Sequence, residues 1–210
     1  MEKRSIGPGT LLGPLPVVLV GSYGEVSRHG TTSVIQNPMT AAWTGIVNSD
    51  PAMVSVSIRH ERLTHRFIME TGEFSLNIAS SLLAADVDFC GVKSGRDLDK
   101  AKARQLTPLK LSSLSVTAGF KECPVILACR VHEVKTLGSH DMFIGRIVDV
   151  LAYESLFVED KLDLTRADLL TYYHGDYYGQ SQRIGFFGYS VAKDNVLKRR
   201  LGKEFWPIPR

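Results

Sequence analysis

Three spacings in this chain have the outline of catalytic or binding motifs. Gly7-Pro8-Gly9 starts as a dinucleotide-binding loop does, but position 12 is Leu and no strand-like run precedes the glycines. A Walker-type phosphate loop is absent as well. His60-Glu61 with His65 has the composition of a zinc-protease helix. Its histidines stand at i, i+5 and begin at a strand end, whereas sharing one helical face takes i, i+4, so no metal is expected there. Gly188-Tyr189-Ser190 opens like a nucleophile elbow, yet Ala192 replaces the second glycine and no histidine follows to act as base. Serine hydrolysis is set aside. What survives lies on Met53–Arg59 (MVSVSIR), where period-two alternation puts Ser55, Ser57 and Arg59 on one face. Two hydroxyls and a guanidinium suit a sugar-phosphate, with Arg59 giving a charge-assisted contact. An exposed strand face with a surface arginine accounts for the same residues. Thr64, at a helix start, adds a hydroxyl and free N–H groups, which serve an anion or a simple N-cap equally well.

These side chains need elements to position them. Leu15–Ser22 is β-rich and reads as a first strand ending in a turn at Tyr23-Gly24; Asn37–Val47 reads as a second, stopped by Asn48-Ser49-Asp50-Pro51. A short helix runs from Thr64 to a stop at Gly72, and Phe74–Ala79 is again strand-like. Residues 81–92 and 97–106 read as surface helices, the second capped by Asp97. Val125–Val134 and Met142–Tyr153 read as long strands joined by a Gly138-Ser139-His140-Asp141 turn. Strands outnumber helices and follow one another as hairpins. The expected class is therefore mainly β with helical insertions, an antiparallel barrel rather than a doubly wound sheet.

The totals narrow the function. Across 210 residues the formal net charge is +3, with lysines and arginines scattered among acids apart from Lys198–Arg200. Such a balance gives no electrostatic case for nucleic acid, though a phosphate-bearing small molecule fits it. A chain of this length buries roughly 70% of its unfolded surface, enough for an enclosed ligand. Cys90, Cys123 and Cys129 form neither an even framework nor a CxxC pair, and buried reduced thiols are expected. The start, MEKRSIGPGTLLGPLP, lacks a signal-peptide core, and the longest apolar run, Val17–Val20, is far too short to cross a membrane. A cytoplasmic protein is expected. Residues 1–13 read as an extension, 14–191 as one domain, and 192–210 as a basic, then apolar tail.

One series of residues points further. Asn37-Pro38-Met39-Thr40-Ala41-Ala42-Trp43-Thr44-Gly45 is followed by Ser49-Asp50-Pro51, Val54–Arg59, and Thr64 before a helix with Ile68. Then come Gly72-Glu73-Phe74 with Asn77-Ile78, Cys90-Gly91 and Ser94-Gly95-Arg96-Asp97-Leu98-Asp99-Lys100. Gly138, His140, Phe143, Ile144 and Gly145 complete it. In this order, over positions 14–150, the series resembles the flavoredoxin or flavin reductase-like family, with its N-x-M-T-A-A-W stretch.

The resemblance implies a six-stranded FMN-binding split barrel, a homodimer with the flavin near the subunit interface. It implies that Met39, Thr40, Ala41, Ala42 and Trp43 wall the ring, small side chains there letting main-chain N–H groups tune the flavin potential. Asn37, Ser55, Ser57, Ile58, Arg59 and Thr64 join the cofactor site by the same resemblance, and Ser94, Gly95, Asp99 and Lys100 supply a second phosphate or ribityl region. Asn77 either bonds the flavin or satisfies a buried turn. His140 is placed near the nicotinamide or flavin, with a docking role. Cys90 receives no redox task. His60 and His65 are departures expected around the phosphate, and Tyr172–Tyr178 is unusually aromatic. The implied activity is an oxidoreductase in which NADH or NADPH reduces bound FMN, which then serves free flavin, ferric iron or another small acceptor. An electron carrier with a protein partner, a non-catalytic flavin- or haem-binding barrel, and a pyridoxamine-phosphate-oxidase-like activity are the alternatives.

Overall fold

In the computed structural model the described residues are 1–179 together with 195, 196 and 199. The chain divides into two compact units, Met1–Gln180 and Ser181–Arg210; Asn195, Val196 and Arg199 of the second are helical. Gly188-Tyr189-Ser190 and the rest of the expected tail lie outside the described residues.

Alternating apolar residues build the first unit. In chain order its elements are β1 (Leu15–Pro16), β2 (Val18–Arg28), β3 (Thr31–Ala41), β4 (Thr44–Ser49), β5 (Ala52–Arg59), α1 (Leu63–Thr71) and β6 (Glu73–Ile78). After α2 (Ala84–Val92) and α3 (Lys100–Ala103) come the short pair β7 (Pro108–Lys110) and β8 (Ala118–Phe120), then the long hairpin β9 (Val125–Thr136) and β10 (His140–Ala152). Two small hairpins follow, β11 (Phe157–Val158) with β12 (Lys161–Leu162) and β13 (Thr171–Tyr173) with β14 (Asp176–Tyr178); β1 pairs with β13.

The main sheet has seven strands in the order β3-β2-β6-β9-β10-β5-β4, with antiparallel neighbours. Laid flat, its edge strands would stand about 29 Å apart at ~4.8 Å per strand. Yet β3 and β4 are joined through Ala42 and Trp43 alone, a link that reaches at most about 11 Å. The sheet must therefore curl into a barrel whose split lies at that link, where Ser57 N–H donates to the Trp43 carbonyl at 3.0 Å.

Six strands line the barrel interior, through Val18 and Val20, Met39 and Ala41, Val54, Val56 and Ile58, Phe74 and Leu76, Cys129, and Phe143; Ile68 of α1 plugs it. The seventh, β4, buries none of its residues. A second core under α2 gathers Val17, Leu19, Val87, Leu111 and Phe120 on the other face of the sheet. The expected mainly-β split barrel is thus observed, with β4 added as an edge strand.

Several local expectations are corrected. The chain does not turn at Tyr23-Gly24; β2 runs on to a hairpin at His29-Gly30, both at positive φ (48° and 79°). Gly24 serves close packing instead, since a Cβ there would collide with the Phe67 ring. Thr64 is not an N-cap. Arg62 holds the cap position, and Thr64 is buried inside the first turn. The expected 97–106 helix shrinks to Lys100–Ala103, capped by Asp99 accepting from Lys102 N–H, rather than by Asp97. His140 and Asp141 open strand β10 and are not part of the turn.

Candidate functional site

Strand pairing assembles one face of the site. On β5, Val54, Val56 and Ile58 point into the barrel, leaving Ser55, Ser57 and Arg59 outside. On β10 the register sets His140 opposite Arg59 and Met142 opposite Ser57. Where the barrel is split, Met39–Trp43, Ser57, Ile58, Arg59, Arg62 and His140 enclose a cavity of about 150 Å³. Ile58 is itself buried in the core, so what it offers there is main chain. Trp43 stacks on His140 with centroids 4.7 Å apart and planes tilted by 32°. The His140 Nδ1 meets Ser139 Oγ at 2.9 Å, and burial, then the Arg59 charge, holds its imidazole below the usual histidine range. Arg59 lies 3.5 Å from Glu61 and is more than half exposed.

A second cavity of about 270 Å³ adjoins the first, with Met39 and Arg62 in both walls. Glu61, Leu63, Thr64, Lys93, Ser94, Gly95, Arg96 and Lys100 complete it, so four cations face one acid. The loop that brings Ser94–Arg96 here is pinned from two sides. Arg28 donates to the Gly95 and Arg96 carbonyls at 2.5 and 3.2 Å, and Arg96 donates to the Glu61 carbonyl at 2.6 Å. Gly95 must be glycine for space, because a Cβ would strike Asn37 Oδ1 and come within 2.9 Å of Leu63.

Lys100 is the unusual member. It is 3% exposed, and among the described residues its ammonium has one acceptor, the Cys90 carbonyl at 2.8 Å. An ammonium has three N–H donors, so two are left over. Burial pulls its pKa from 10.5 down to about 8. Asn37 lies behind the same wall, donating to Thr64 Oγ1 at 2.8 Å, while its own Oδ1 has no partner among the described residues.

The structure therefore brings together Met39, Thr40, Ala41, Ala42, Trp43, Ser57, Ile58, Arg59 and His140 around one cavity, and Thr64, Ser94, Gly95 and Lys100 around the other. Asn37 supports the second from behind. Three expected residues stand elsewhere. Asn77 is fully buried and satisfied, donating to the Leu19 carbonyl and Ser75 Oγ and accepting from Phe120 N–H. Ser55 Oγ donates to the Gly45 carbonyl on β4 at 3.3 Å. Asp99 caps α3. His60 and His65 do not line the cationic cavity; both reach Asp141 on the barrel side of β10. Arg62 and Lys93 were not singled out from the sequence, and Arg96 stood only within the Ser94–Lys100 series, with no role given to it. Their signal was the charge density of Arg59–Arg62 and Lys93–Arg96, which flank the residues that were.

The cysteines are free and buried, and burial pushes the Cys90 thiol up to about 11, Cys123 and Cys129 to about 12. None offers a thiolate at neutral pH.

Residues 13–181 match the family model described as a flavin reductase like domain. The flavoredoxin of Desulfovibrio vulgaris (Miyazaki F) is 31% identical and superposes with a TM-score of 0.77 over 88% of this chain and 97% of its own. An FMN-binding protein from Thermus thermophilus, solved with p-hydroxybenzaldehyde, is 25% identical with a TM-score of 0.68 over 89% of this chain and 98% of its own. An uncharacterised protein of Pyrococcus abyssi is 31% identical over 143 residues, 68% of this chain and 80% of the relative.

Proposed function

The chain belongs to the flavin reductase like family of flavin-binding oxidoreductases, and from that premise we propose that it holds FMN across the two joined cavities and accepts electrons from NADH or NADPH. The observation that carries the reading is the buried, under-partnered Lys100 ammonium in a wall shared with Arg62, Lys93 and Arg96. Two idle donors on a buried ammonium in a cationic wall call for an anion with several acceptor oxygens, and a phosphate supplies them. The glycine at position 95, where a Cβ would collide with Asn37 and Leu63, keeps its loop main chain close against this wall.

In this reading Thr64, Ser94, Gly95, Arg62 and Lys100 hold the phosphate. The main chain of Met39–Trp43, with Ser57 and Arg59, borders the ring. Bound FMN supplies two-electron acceptance from a nicotinamide and release to an acceptor. The chain's own residues bind and orient. Trp43 and His140, in contact at the rim with their planes tilted by 32°, leave aromatic surface against which a nicotinamide can lie, and Arg59 offers a charge to its phosphates. Hydride delivery needs proximity and orientation rather than a general acid, so His140 acts as a positioning group. Trp43, Ile46 and Val47 leave a large apolar surface exposed on and beside edge strand β4. Cover by a second copy of the chain, placing the site near the interface, is part of the proposal.

Anaerobic absorbance spectra of the FMN-loaded protein, before and after NADH and then NADPH, test the reading. Bleaching by either nucleotide supports a reductase and names its donor. Similarity to a flavoredoxin favours one rival, a carrier served by a protein partner, and flavin bands that persist with both nucleotides would select it. No helix among the described residues is long and apolar enough to cross a membrane.

A further inference from the structure

Outside both cavities, on the barrel side of β10, three side chains from three places in the chain converge. His60 follows the end of β5, His65 lies in the first half of α1, and Asp141 is the second residue of β10. His60 Nε2 lies 3.0 Å from Asp141 Oδ1, and His65 Nε2 lies 2.7 Å from Oδ2. All three ligand atoms fall within 4.8 Å of one another. From this geometry we propose that His60, His65 and Asp141 form a site for one first-row divalent transition-metal ion. The site is separate from the cofactor cleft and does not depend on the flavin reading.

The i, i+5 spacing of the histidines argues against a metal only if both lie on one helix. Here one precedes the helix and the other lies within it, so the turn between them aims both rings at one point. The rings meet edge to face at 85° with centroids 5.4 Å apart. Two imidazoles bound through nitrogen to one tetrahedral ion at ~2.0–2.1 Å would place their centroids about 5 Å apart. Ligand atoms around such an ion are roughly 3.4 Å apart, within the 4.8 Å that holds one ligand atom from each of the three residues here.

The chemistry of the position points the same way. Asp141 shares the inward face of β10 with Phe143 and is 7% exposed. His60 and His65 each direct a ring nitrogen at a different oxygen of its carboxylate. A carboxylate and two imidazole nitrogens converging from three places in the chain give an ion both charge and nitrogen donors. His65 is braced edge-on by Phe143 at 5.2 Å, whereas the His60 side chain is 45% exposed and leaves room for water ligands. Two nitrogens and one oxygen suit zinc, iron(II) or cobalt(II). Calcium and magnesium prefer all-oxygen sites, and copper(I) prefers sulfur. An ion here would tie the β5–α1 turn and α1 to β10.

The test is titration of cobalt(II) into untagged, full-length, EDTA-treated protein, read by visible d–d absorption. The proposal expects one cobalt per chain, displacement by zinc, and a rise in Tm with zinc. His60→Gln, at an exposed position, should keep the metal-free Tm and weaken cobalt binding at least about tenfold, and Asp141→Asn should weaken it likewise. Absence of a visible cobalt band at saturating metal, or binding unchanged in a normally folded His60→Gln protein, would overturn it.

Discussion

Lys100→Met should weaken FMN binding and remove its alkaline pH dependence. In the cofactor-free protein burial has lowered the ammonium to about 8 from 10.5, so above that pH the group is neutral. A phosphate dianion beside it favours the charged form and raises the pKa again. Between about pH 8 and 10.5, binding therefore takes up a proton, and affinity falls as pH rises, by at most about tenfold per unit. Full restoration of the 2.5-unit shift sets a ceiling of roughly 300-fold between those limits; below pH 8 Lys100 adds no pH dependence. At pH 7 the lost charged hydrogen bond should cost about 1.5–3 kcal/mol, roughly 10- to 150-fold in Kd. The stability of the cofactor-free protein should move the other way. The depressed pKa means that folding carries a penalty below pH 8, relieved as pH rises towards 10.5, so Lys100→Met without FMN should be no less stable at pH 7. Quenching of flavin fluorescence, titrated from pH 7 to 10 with riboflavin as the phosphate-free control, reads all of this. Equal FMN affinity and the same pH profile in the variant would refute the placement of phosphate against Lys100.

Gly95→Ala should reduce FMN affinity about tenfold or more and lower stability by about 1–3 kcal/mol, because its methyl collides with Asn37 Oδ1 and presses on Leu63; isothermal titration and thermal melts measure the two effects. Asn77→Ala should lower stability by about 1–3 kcal/mol by removing the side-chain partner of Phe120 N–H and the donor to the Leu19 carbonyl, while Ser75 Oγ keeps its bond to the Ala118 carbonyl; FMN affinity should be unchanged, and a shifted flavin potential would return Asn77 to the site. Glu73 is pushed up by burial, but three N–H donors from Ser115, Val116 and Thr117 bring its carboxyl below 4.5. Its stabilisation is therefore present above pH 4.5 and lost as pH falls through the lowered value. The Tm gap between Glu73→Gln and wild type should be open at pH 7 and close in strong acid.

How much of this the sequence revealed depended on whether a residue's role is local. The alternation of Met53–Arg59 carried directly into β5, because its period decides which side chains face the barrel. Gly72 ended α1 in the left-handed conformation at φ 68°, as a helix-stopping glycine should. Gly24 misled, because a glycine needed for a neighbouring ring looks the same in sequence as one needed for a turn. The break at Ala42–Trp43 was hidden for a related reason. The run is locally strand-like, and only closure of the barrel splits it between opposite edges of the sheet. Asn77 was ambiguous until its three partners, on β2, β6 and β8, were assembled. Arg62 and Arg96 have no period to mark them, and their placement comes from contacts with the Gly91 and Glu61 carbonyls. The His60–His65–Asp141 cluster spans 81 residues of chain, a separation no local pattern carries.

The measurement closest to the central claim is equilibrium titration of the cofactor-free protein with FMN and, separately, with riboflavin. One FMN should bind per chain, and riboflavin should bind at least about tenfold more weakly, since the cationic cavity would then be left without its phosphate. Absence of FMN binding, or equal affinity for the two flavins, would contradict that claim.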